Sequence, residues 1–135
     1  MKEVYCSYEI SKLLKEKGFN EPCSSTYDTA VSGGKPKFYK YDVLHFFPNG
    51  MKNSDDKYGM VISAPTHQMA CVWLREKGIY ITIIYGDYPA NKKVFWTPQI
   101  DSLEGFDLPD SFYQEYDLYE DAVEAALKYC LENLI

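Results

Sequence analysis

For 34 consecutive residues, 94 to 127, this chain contains no lysine or arginine. Residues 94–135 hold one Lys against ten Asp and Glu, whereas residues 1–93 hold 13 Lys and Arg against ten acids. The net charge of −6 is therefore a balance of +3 followed by one of −9. Such a sign argues against contact between the C-terminal third and a nucleic-acid backbone. An excess of +3 over the rest is too small to argue for one.

Histidine and cysteine are also scarce, at two and four residues. Cys6, Cys23, Cys71 and Cys130 are widely spaced and none forms a C-x-x-C pair. That argues against a structural zinc site and against the dense disulfide framework of a small secreted scaffold. The four read as reduced thiols used in packing, and no pattern calls for a metal or a cofactor. No apolar run approaches the roughly 20 residues that cross a bilayer. The first residues, "MKEVYC", lack the apolar run of a secretory signal, so the expected location is the cytoplasm. At 135 residues, with 46% hydrophobic and 25% charged residues, the chain is expected to be one globular domain.

Local signals then order the elements. Ser7 is a good N-cap for a helix over residues 8–17, with Ile10, Leu13 and Leu14 at helical spacing and Gly18 as the stop. A strand is expected near residues 23–29, a turn at 31–36 and a second strand over 37–44. Residues 48–58, opened by Pro48-Asn49-Gly50 and continued by a polar run, read as an exposed, mobile loop. Ser63 or Ala64 is the expected cap of a second helix, with Pro65 in its first turn and Gly78 as its end. Met69, Ala70, Trp73 and Leu74 form its apolar stripe. Residues 79–85 are the clearest strand, and 93–100 return as its hairpin arm after a turn at 86–91, with Pro98 hinting at an edge. A last helix over 119–134 carries Tyr119, Ala122, Val123, Ala126, Leu127, Cys130, Leu131 and Leu134 on one face. "LLKEKGF" and "WLREKGI" each end a helix ahead of a hairpin, a faint echo of two α-β-β units.

Three stretches carry a likeness: "SAPT" at the opening of the second helix, "WLREK" at its end, and "YEDAVEAALKYCLE" near the C-terminus. In these the chain resembles a family of small proteins encoded in phages, prophages and mobile elements of gut bacteria. The likeness runs through most of the chain in order and is poorest over residues 45–60. Where those relatives have a Ser or Thr cap this chain has Leu118, which leaves Asp117 as the expected cap of the last helix. The resemblance implies no activity. It implies a setting, that of an accessory protein acting on host factors or competing elements.

Candidate chemistry is thin. His67 and Cys71 lie four apart and share a helix face, the spacing of a histidine-activated thiol. Such a thiol needs exposure and a depressed pKa. Cys71 sits in mid-helix with no identifiable third group, so the stronger reading has His67 exposed in the first turn and Cys71 packing. "SGGKPK" lacks the spacing and the following helix of a phosphate loop, and "DLPD" and Asp55-Asp56 lack EF-hand spacing. Ser63, Thr66 and His67 could meet free backbone N–H groups at the start of the second helix and hold a small anion.

The strongest feature outside the core is "DSLEGFDLPDSFYQEYDLYED", residues 101–121. There Phe106, Phe112, Tyr113 and Tyr116 alternate with Asp107, Asp110 and Glu115. Aromatics within charge of one sign suit a protein-binding surface. Packing onto a sheet is the competing account, but with 13 tyrosines some phenols must face water. The expected architecture is α+β: a mostly antiparallel sheet of about four strands in two hairpins, two longer helices on it, and a short N-terminal helix. The expected function is non-catalytic binding of another protein, with a basic one as the first candidate. An enzyme or anion binder using the Thr66 region, and an acidic mimic of nucleic acid, are the alternatives. Oligomeric state is left open.

Overall fold

The computed structural model describes residues 2–30, 34–40 and 49–135. Residues 31–33 of the expected turn, 41–44 of the expected strand and Pro48 lie outside them. The chain is α+β, with helices α1 (Tyr8–Glu16), α2 (His67–Glu76) and α3 (Tyr119–Asn133). Its strands are β1 (Ser25–Asp28), β2 (Lys37–Lys40), β3 (Val61–Ser63), β4 (Ile79–Tyr88) and β5 (Lys93–Ser102). They form two antiparallel sheets, β2-β1-β3 and β4-β5, rather than one sheet of about four strands. Two compact units result, Met1–Ala70 and Cys71–Ile135. No described helix is long and apolar enough to cross a membrane.

In the first unit, Ser7 caps α1 by accepting the Ile10 N–H at 3.2 Å. Gly18, at φ +93°, ends it and lets the Phe19 N–H reach the Leu14 carbonyl. Ile10, Ser11 and Leu14 are buried, and α1 packs on β3. β3 was not expected as a strand, because three residues carry no periodicity; it is defined by β1, through Thr26 opposite Ser63 and Tyr27 opposite Ile62.

Within the described part of residues 48–58, Met51 and Asn53 are buried rather than exposed. Met51 pairs with Cys23 through reciprocal backbone hydrogen bonds of 2.8 and 2.9 Å, and Gly50 lies so close that an added Cβ would stand 3.0 Å from Cys23 N. Asn53 is buried: its amide donates to the Phe19 carbonyl and accepts the Ser63 N–H. The Lys15 ammonium meets Asp56 at 2.7 Å and also donates to the Val61 carbonyl. Lys52, Ser54, Asp55, Lys57 and Tyr58 do face solvent. The polar run is exposed around a few buried pins.

In the second unit, α3 lies against both β4 and β5. Ala122, Val123, Ala126, Leu127, Cys130 and Leu131 of the expected stripe are buried, but its two ends are not: Tyr119 is 46% exposed and Leu134 is half-buried, because the terminal turns reach past the sheet. The hairpin is three residues longer in β4 and two longer in β5 than composition suggests. Gly86 and Asp87 stay in the ladder because the Phe95 ring lies over Gly86, where a Cβ would meet it at 2.2 Å. Tyr88 packs diagonally on the same ring at 4.9 Å. Leu118 precedes α3 without a side-chain cap; Asp117, the expected cap, faces Lys93 at 3.5 Å instead.

Candidate functional site

The acidic segment after β5 is held at two points. Tyr116 and Trp96 exchange backbone hydrogen bonds of 2.8 Å, which pins the segment beside β5. A 3-10 turn at Asp110–Phe112, entered through Pro109, swings the Phe112 ring toward α3, where it lies 5.0 Å from the ring of Tyr129. Between turn and helix runs a groove of about 290 Å³. Phe112, Tyr116 and Tyr129 supply aromatic wall, and Lys128 and Glu132 bring charge to its rim. Trp96 continues the aromatic set behind Tyr116, edge-on to Tyr85 at 5.7 Å and to Tyr119 at 5.3 Å.

The acids of the segment face outward. Asp107, Asp110 and Glu115 are exposed, and Tyr113 is 54% exposed. The Tyr88 hydroxyl donates to the Glu115 carboxylate, and this hydrogen bond raises the Tyr88 pKa. Only Phe112 and Tyr116 of the expected aromatics share the groove. Phe106 lines a separate cavity of about 550 Å³ with Gly78, Leu103 and Leu134. Tyr129 and Glu132 were missed by sequence reasoning; their signal is that they fall outside the buried stripe of α3.

The start of α2 is arranged differently from expectation. Thr66, not Ser63 or Ala64, caps it by accepting the Met69 N–H at 3.2 Å, and Pro65 stands before the cap. Ser63 is buried, its N–H given to Asn53 and its hydroxyl to the Met51 carbonyl. His67 is 9% exposed rather than open to solvent. The cause is residues 4–6, which run alongside: Tyr5 bridges Thr66, Cys6 N–H donates to the Pro65 carbonyl, and His67 N–H donates to the Val4 carbonyl at 2.9 Å. Two of the amides that an anion would use are thus already engaged.

The thiol brought to His67 is that of Cys6, within 4.8 Å of a ring nitrogen, and no local spacing could have revealed it. Burial raises the pKa of Cys71 despite the nearby Arg75, the reverse of what activates a nucleophile. Burial also pushes Cys23 and Cys130 up to about 12.

Comparison of the chain with protein-family models, curated proteins and solved structures finds no match.

Proposed function

We propose that the protein is a non-catalytic binding factor that docks a basic protein partner on the segment from Phe106 to Tyr116. The observation that carries this reading is the groove beside the turn. Phe112 and Tyr116 line it, in a stretch of 34 residues with no basic side chain. Apolar area at the centre with charge at the rim is the usual division of labour in an interface, the first giving affinity and the second steering. The segment is also held before any partner arrives, by the Trp96–Tyr116 bridge and the Phe112–Tyr129 contact. A pre-ordered surface loses less entropy on binding.

The likeness of "SAPT", "WLREK" and "YEDAVEAALKYCLE" to proteins of phages and mobile elements suggests the setting, an accessory factor acting on a host or rival protein. The test is affinity capture from the native host with the wild-type chain and with a chain carrying Asp107→Lys, Asp110→Lys and Glu115→Lys together. A partner retained by the first and lost by the second is expected. A partner captured equally by both refutes this surface.

A further inference from the structure

The groove between the Asp110–Phe112 turn and α3 offers a cationic side chain two things at once. Its walls include three aromatic rings, Phe112, Tyr116 and Tyr129, and its rim includes the Glu132 carboxylate. Cations are drawn to aromatic faces, and a guanidinium can lie flat on a ring while its edge still meets a carboxylate. An ammonium has no such plane. At about 290 Å³ the groove sits at the lower end of the range for small-molecule pockets, about 300–1,000 Å³. It admits one long side chain rather than a helix or strand.

We propose that this groove receives an arginine side chain of the partner, stacked on the aromatic wall and paired with Glu132. The inference rests on the reading of the segment as a surface for a basic protein. Charge complementarity selects this occupant over an apolar one. No basic residue occurs from 94 to 127, and Asp110 and Glu115 stand exposed on the strip that forms one side of the groove.

Lys128 is the one basic residue of the C-terminal third and also lines the groove. Its ammonium is 3.9 Å from Glu132, with both side chains about half exposed. An exposed pair of that length contributes little, so an incoming guanidinium can replace it at small cost. Asn133, the remaining polar side chain at that end, donates to the Tyr129 carbonyl and does not compete for the carboxylate.

The test uses the full chain and three short peptides, identical in their lysine and glycine flanks and differing only at a central arginine, citrulline or norleucine. Binding is followed by NMR shifts of the groove residues. The arginine peptide should saturate shifts at Phe112 and Tyr129, and citrulline, nearly isosteric and neutral, should bind about tenfold more weakly. Glu132→Gln lies on an exposed position, so its fold is safe. It should weaken the arginine peptide about threefold and leave norleucine unchanged.

Equal binding of all three peptides, shifts confined to other surfaces, or no arginine binding at millimolar peptide would each overturn the proposal. Such an outcome beside a partner lost on the triple reversal overturns the groove assignment alone. Arginine-selective binding beside a partner indifferent to the reversal overturns the broader reading and keeps the groove.

Discussion

Lys15 and Asp56, 41 residues apart, meet at 2.7 Å and tie α1 to the segment that follows the 3-10 turn at Asn53–Asp55. The Asp56 side chain is only 3% exposed. Burial alone would raise its pKa. The hydrogen bond from Lys15, the N–H groups of Met60 and Val61, and the charge of Lys15 together overcome burial and hold it below its ordinary value.

A first prediction follows from the sign of that shift. The folded pKa lies below the unfolded one, about 3.9 for Asp, so the stabilisation is present above that value. It is lost as pH falls through the folded pKa. Asp56→Asn should cost about 1.5–3 kcal/mol at pH 7, the range for hydrogen bonds to a charged group. The cost should shrink below pH 4 in denaturation curves. An equal cost at pH 7 and pH 3 would exclude an ionised Asp56.

Asn53 and Ser11 make a second, paired prediction. Both are buried, but Asn53 satisfies the Phe19 carbonyl and the Ser63 N–H, whereas the Ser11 hydroxyl has no hydrogen-bond partner among the described residues. Asn53→Ala orphans two buried backbone groups and should cost about 2–4 kcal/mol. Ser11→Ala removes an unsatisfied hydroxyl from a helix interior and should be neutral or stabilising by up to about 1 kcal/mol. Thermal melts of the two variants should move in opposite directions or leave Ser11→Ala in place.

These residues mark where sequence reasoning reaches and stops. α1 and α3 were legible because their signals are local: Ser7 and Gly18 frame one, and a regular apolar stripe runs along the other. Asn53 reads as solvent-facing because its neighbours are polar, and it is buried only because a carbonyl 34 residues earlier needs a donor. His67 was misjudged for the same reason, since the residues that cover it are at 4–6. The acidic, aromatic character of 101–121 was plain in composition. Which rings share a groove was not, because that depends on the face Tyr129 presents.

Thiol chemistry gives the third prediction. Cys6, Cys23 and Cys130 are buried, and Cys71 is partly exposed with a raised pKa. An aromatic disulfide reagent at pH 8 should modify at most Cys71, slowly, and all four thiols only after unfolding. His67→Ala should not change the Cys71 rate by more than about twofold. A burst at Cys71 faster than a free-thiol control would show an activated nucleophile.

Trp73 supplies the fourth. It is 7% exposed, and the Lys77 ammonium lies 4.4 Å above its ring. Trp73→Ala should therefore cost about 3–5 kcal/mol. Lys77→Met should cost far less, about 0.5–1 kcal/mol, because a cation–π contact at an exposed lysine is worth no more. A denaturation midpoint unchanged in Trp73→Ala would move this residue from core to surface.

The last prediction concerns rates at the acidic segment. Long-range charge acts on encounter, and its reach falls from about 10 Å at 0.1 M salt to about 3 Å at 1 M. With a purified partner, the reversal of Asp107, Asp110 and Glu115 should slow association by about tenfold or more at low salt. Dissociation should change by less than about threefold, because rim charges contribute little once the complex has formed. Raising salt should slow association of the wild type and bring the two chains together. Stability should barely move, since all three side chains are exposed. If instead dissociation carries the effect and salt does not, the acids make close contacts in the bound state rather than steering the approach. If neither rate responds, the segment is an ordinary solvated surface, and the binding face must be sought elsewhere, first at the cavity shared by Phe106, Leu103 and Leu134.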